Sequence, residues 1–77
     1  MTMFEVIMHM PVRNAAVHRI LCTCLIDNLD DLVDHLNQTD FLVVDEWYPD
    51  EQTGQLKNHG AVALNRRHIG KIKEWKR

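Results

Sequence analysis

One stretch of this chain most clearly spaces its apolar residues as a helix does. Leu29, Leu32, Val33 and Leu36 fall at i, i+3, i+4 and i+7, a single stripe on a helical surface. Asp27 or Asn28 can cap that helix, Asp30 and Asp31 fall in its first turn, where the macrodipole favours anions, and residues 37–40 close it. A helix of about three turns does not hold by itself in water, so the stripe must pack on another element.

The other apolar residues alternate or run in short blocks, as strands do. Residues 4–10 put Phe4, Val6, Met8 and Met10 on one face. Pro11 ends that strand, and residues 12–16, with Asn14 as the turn residue, lead into a second. Residues 17–26 are apolar on both faces, which suits a central strand paired with the first as a hairpin. After the helix, residues 41–48 are rich in β-formers, and Pro49, Asp50 and Gly54 mark a turn over 49–55. Residues 56–64 read as a fourth strand with a bulge at Gly60, residues 65–67 as a tight connection, and residues 68–75 as a last strand. Ile69 and Ile72 are three apart, so a helical turn competes there. The order β-β-α-β-β-β gives an α+β class: one small domain over residues 1–77, a curved antiparallel sheet of four to five strands with the helix packed across it.

A chain of 77 residues has a thin core, because so short a domain buries only about 60% of its unfolded surface. A secreted domain of that size usually carries four or more cysteines; this one has Cys22 and Cys24 alone. That points to reduced thiols in a cytoplasm. Residues 1–10 lack the basic start and long apolar run of a signal peptide, and no apolar stretch is long enough to span a bilayer.

The charge is divided by position. Between residues 20 and 56 there are nine acids and no Lys or Arg. Between 57 and 77 there are seven bases against a single acid, Glu74. The formal net of −2 therefore hides about −9 against +6. Asp30, Asp31 and Asp34 lie off the leucine stripe, and with Asp45, Glu46, Asp50 and Glu51 they can form an acidic face. Such a face mimics a phosphate backbone or docks on a basic groove, since complementary fields raise the on-rate and select the partner. Solubility alone also explains an acidic helix face. Trp47 and Tyr48 are neighbours on a strand and face opposite ways, so one of them can anchor an interface. Arg66, Arg67, Lys71, Lys73, Lys76 and Arg77, with Trp75 beside them, offer the alternative of phosphate contacts and one stacking ring. They can equally pair with the acidic middle, within the chain or across a dimer.

Little else carries chemistry. Cys22 and Cys24 with His9, His18, His35, His59 and His68 are enough zinc ligands in number, but Cys-x-Cys without a second pair is not a finger spacing. On a strand both thiols point the same way, into the core. Asp45 and Glu46 alternate and make no carboxylate pair, no residue run resembles a nucleophile turn, and Gly54, Gly60 and Gly70 form no phosphate loop. No catalytic residue, metal, cofactor or small-molecule substrate is expected.

Residues 62–72, Val-Ala-Leu-Asn-Arg-Arg-His-Ile-Gly-Lys-Ile, resemble a closing strand, turn and strand seen in small phage and prophage proteins. In size and style the chain is similar to phage or mobile-element inhibitors, including anti-CRISPR proteins. The resemblance implies a DNA-mimicking inhibitor in the host cytoplasm. The resulting expectation is a non-enzymatic module that binds a protein partner, a nucleic-acid-binding complex, through the acidic face. The alternatives are a nucleic-acid-binding protein using the basic end and a homodimeric structural subunit.

Overall fold

The computed structural model describes residues 2–9 and 17–76. The elements are β1 (Met3–His9), β2 (Val17–Thr23), α1 (Leu29–Leu36), β3 (Phe41–Pro49), β4 (Leu56–Asn65), a single 3₁₀ turn (Arg66–His68) and β5 (Ile69–Glu74). The expected α+β order is present: one helix and one five-stranded antiparallel sheet. Met10, Pro11, the connection with Asn14, and Arg77 lie outside the described residues.

The strand order is β4-β3-β2-β1-β5. β4 and β5 are the two edges, yet three residues join them. Four residues of extended chain span at most about 14 Å, whereas the edges of a flat five-stranded sheet stand about 19 Å apart. The sheet must therefore curl until its edges approach. The backbone provides for this. β2 meets β3 over only three pairs, Leu21–Trp47, Cys22–Glu46 and Thr23–Asp45, so the β3–β4 ribbon turns away from the β2–β1–β5 ribbon beyond that seam. An irregularity opposite residues 45–47 gives β4 an extra residue at Gly60, whose φ is +100°, as a glycine bulge requires.

A second bulge settles the competition at the last strand. β5 pairs Ile72 with Val6 and Lys71 with Ile7, then skips Gly70 to pair Ile69 with Met8. The extra residue restores the parity, so Ile69 and Ile72 both pack against the core from a strand rather than a helical turn.

The core lies on the inner face of the curl. Phe4, Val6 and Met8 of β1, Cys22 of β2, Leu42 and Val44 of β3 and Leu64 of β4 are buried with Leu32 and Leu36 of α1. Asn28 caps the helix: its side chain accepts from the Asp31 amide at 2.9 Å and donates to the Asp31 carboxylate at 2.8 Å. Eight residues make about two turns, one fewer than the pattern suggests, because the chain turns into β3 after Leu36. Arg66 closes the helix end by donating from Nη1 to the Leu36 carbonyl at 3.1 Å. Val33, at 45% exposure, sits at the edge of the stripe. β2 ends at Thr23, three residues before the expected Ile26, because pairing with β3 stops there and the chain leaves for the helix cap. Leu25 is consequently fully exposed.

Candidate functional site

The helix covers only part of the inner face. Beyond it, the curl leaves an open cleft of about 410 Å³ floored by Met8, Ile20 and Leu64 and rimmed by His18, Glu46, Tyr48, Asn65 and His68. Register explains the lining. His18 pairs with Met8 and Glu46 with Cys22, so both polar residues sit in core-facing rows. Tyr48 follows Glu46 by alternation, and the 3₁₀ turn brings His68 to the rim. Tyr48 is 43% exposed, and its ring meets the His59 ring edge-on, with centroids 5.0 Å apart. The Glu46 carboxylate beside it, together with partial burial, pushes the Tyr48 hydroxyl above its ordinary range. Glu46 is half-buried and forms no ion pair with any described residue. Arg19 also borders the cleft, but its guanidinium is held by Glu5, a residue of the outer face.

The acidic residues do not gather on one surface. Asp30, Asp31 and Asp34 are exposed on α1. Asp45 is on the outer face, where it accepts from Asn58 at 3.3 Å, and Glu46 points into the cleft. Asp50 and Glu51 belong to the β3–β4 turn, where Lys57 Nζ lies 2.6 Å from the Asp50 carboxylate. Lys57 and the Gln52 amide hold Asp50 below its ordinary range. Trp47 is half-buried on the outer face, its indole committed to Thr23 at 3.0 Å. Tyr48 is the freer of the two aromatics.

Much of the basic end is occupied within the chain. Arg66 bonds the Leu36 carbonyl and lies 3.8 Å from the Asp40 carboxylate. Lys73 reaches Glu5 at 3.5 Å. Arg67, Lys71 and Lys76 are exposed and make no ion pair with described residues. Trp75 is half-buried beside Leu21, Pro49 and Leu56 on the outer face.

Cys22 and Cys24 are free thiols, the first buried and the second half-buried. Among the described residues no group of three or more His, Cys, Asp or Glu is placed to hold a metal ion, and no helix is long and apolar enough to cross a membrane. No family model, curated protein or solved structure matches the chain.

Read by spacing alone, His18 and His68 count only as metal ligands, and their place in the cleft does not show. A signal for two of the lining residues is present: His18 and Glu46 are polar residues in rows that otherwise read Ile20-Cys22 and Leu42-Val44. For His68 there is none, because its position depends on the curl.

Proposed function

We propose that the protein is a non-enzymatic protein-binding module that docks on a basic surface through its acidic residues. The observation that carries this reading is the uneven pairing of charge. Glu5, Asp40 and Asp50 each have a cation within the chain. Asp30, Asp31 and Asp34 project from one helix and form no ion pair with a described residue. More of the described bases are neutralised within the chain: Arg19, Lys57, Arg66 and Lys73 face carboxylates, which leaves Arg67, Lys71 and Lys76. What remains outward is an acidic field suited to a basic partner. A nucleic-acid-binding complex is the partner chemistry this field fits, and competition with its phosphate ligand makes the module an inhibitor, in the manner of the small phage proteins it resembles at residues 62–72.

Capture from lysate on the immobilised chain, at low and high salt, tests the reading. The expected partner is basic, is lost at high salt, and is not recovered by Asp30→Lys/Asp31→Lys/Asp34→Lys. Recovery unchanged by that triple reversal overturns it.

A homo-oligomer has separate support. β4 is an edge strand whose residues 61–64 carry no charge, and Phe41 and Val43 beside it are more than half exposed. Uncharged open edges invite strand pairing. Light scattering that reports a monomer at millimolar concentration removes this second reading.

A further inference from the structure

We infer that the inner-face cleft receives an arginine side chain presented by the protein partner. The source of that side chain rests on the protein-binding reading above; the preference of the cleft for a guanidinium group stands on its own geometry.

The cleft holds one anion, Glu46, and beside it several groups able to accept a hydrogen bond. Glu46 brings two carboxylate oxygens, Tyr48 a hydroxyl, and His18 and His68 ring nitrogens. The Glu46 carboxylate has no ion-pair partner among the described residues, since Arg19, which borders the cleft, is taken by Glu5. An anionic ligand would meet Glu46 with like charge, and a metal finds no ligand group among the described residues. A cation with several N–H donors fits. Guanidinium offers five in a planar fork and pairs bidentately with a carboxylate, while an ammonium is a compact point charge.

The apolar parts of the cleft point the same way. Tyr48 borders the cleft at 43% exposure, an aromatic surface against which a flat cation can lie. Met8, Ile20 and Leu64 form a floor that suits the methylene stem of a long charged side chain. The volume, about 410 Å³, lies near the small end of ligand cavities and is ample for one side chain.

The test uses the full chain, isotope-labelled and followed by amide chemical shifts at neutral pH, with Nα-acetyl-arginine amide as the probe. Saturable shifts are expected at Ile20, Glu46, Tyr48 and Leu64, with a dissociation constant on the order of millimolar for one side chain. The corresponding citrulline compound, the same shape without charge, binds at least tenfold more weakly, and the lysine compound is weaker than arginine. Glu46→Gln weakens the arginine probe at least tenfold while the rest of the amide spectrum stays in place. Glu74→Gln, an exposed carboxylate outside the cleft lining, leaves probe binding unchanged. No saturation, equal binding of citrulline, or indifference to Glu46→Gln overturns the site. The capture experiment separates the two readings. Partner recovery lost in the triple reversal but unaffected by Glu46→Gln leaves the module reading standing and overturns the arginine donor. Probe binding with no salt-sensitive partner removes the module reading and spares the guanidinium preference.

Discussion

The indole Nε1 of Trp47 donates to the hydroxyl of Thr23 at 3.0 Å, across the three-pair seam that joins β2 to β3. Thr23 is 4% exposed, so the bond is largely shielded from water. It ties two ribbons that share few backbone bonds. Thr23→Val keeps the shape and removes the acceptor. The indole N–H then loses its partner, at a cost of roughly 1–3 kcal/mol, read as a lower urea midpoint. Thr23→Ser retains the hydroxyl and should lose less. Equal loss in both variants would mean that the hydrogen bond contributes nothing beyond packing.

Gly70 makes the bulge that brings Ile69 and Ile72 onto one face, and it does so under the His9 ring. A Cβ at position 70 would lie 2.0 Å from His9 Cδ2, closer than any real contact. Gly70→Ala should therefore force the exposed ring aside or shift β5, costing about 0.5–1.5 kcal/mol in rotamer strain. The imidazole is a movable obstacle, so His9→Ala should recover most of that loss. The double-mutant cycle in thermal or urea unfolding measures the coupling. Additive losses would place the cost in the backbone instead.

These two relationships mark what can and cannot be read along the chain. The β1 row Phe4-Val6-Met8, the helix stripe and the opposed faces of Trp47 and Tyr48 follow from local periodicity, and the folded chain shows all three. The end of β2 does not, because Cys24, Leu25 and Ile26 look as β-like as Leu21; what stops the strand is the loss of pairing to β3. The spacing of Ile69 and Ile72 reads equally well as helix until the pairing of β1 with β5 assigns an extra residue to Gly70. The cleft is the least legible feature. His68 and Tyr48 are 20 residues apart and line one cleft only because the sheet curls. The acidic run, contiguous along the chain, is divided by strand alternation and by the β3–β4 turn.

Glu5 links stability to pH. Burial of its carboxyl pushes its pKa up, but the hydrogen bond and charge of Arg19, joined by Lys73, outweigh this and hold the group below the ordinary carboxylate range. A depressed folded-state pKa stabilises at pH values above the unfolded value, about 4. That contribution is lost as pH falls through the folded value. Asp50, held down by Lys57, acts with the same sign. Melting temperatures should fall between pH 5 and pH 3, and Glu5→Gln should be less stable than the parent at pH 7 yet show a shallower fall. A parallel acid profile in the variant would assign the fall to other carboxylates.

Cys22 and Cys24 should differ sharply in reactivity. Burial, together with Cys24 and Glu46, pushes the Cys22 thiol up to about 12, and the residue is 1% exposed. Alkylation requires the thiolate, so Cys22 is protected twice: by access and by protonation. Cys24 is half-buried, and its thiol donates to the Ile26 carbonyl at 3.6 Å, a weak restraint in a segment beyond the end of β2. Iodoacetamide at pH 8 should give a single adduct at Cys24 in the native protein, with Cys22 modified only as urea unfolds the chain. The rate of the second adduct then follows global opening, because Cys22 lies in the same cluster as Phe4, Leu32 and Leu42. The linkage has the opposite sign to that of Glu5. An unfolded thiol ionises near pH 8.5, well below the folded value, so alkaline pH favours the unfolded chain and Cys22→Val should reduce the loss of stability between pH 8 and pH 10. Rapid native modification of both thiols would contradict the burial of Cys22 at the β2–β3 seam.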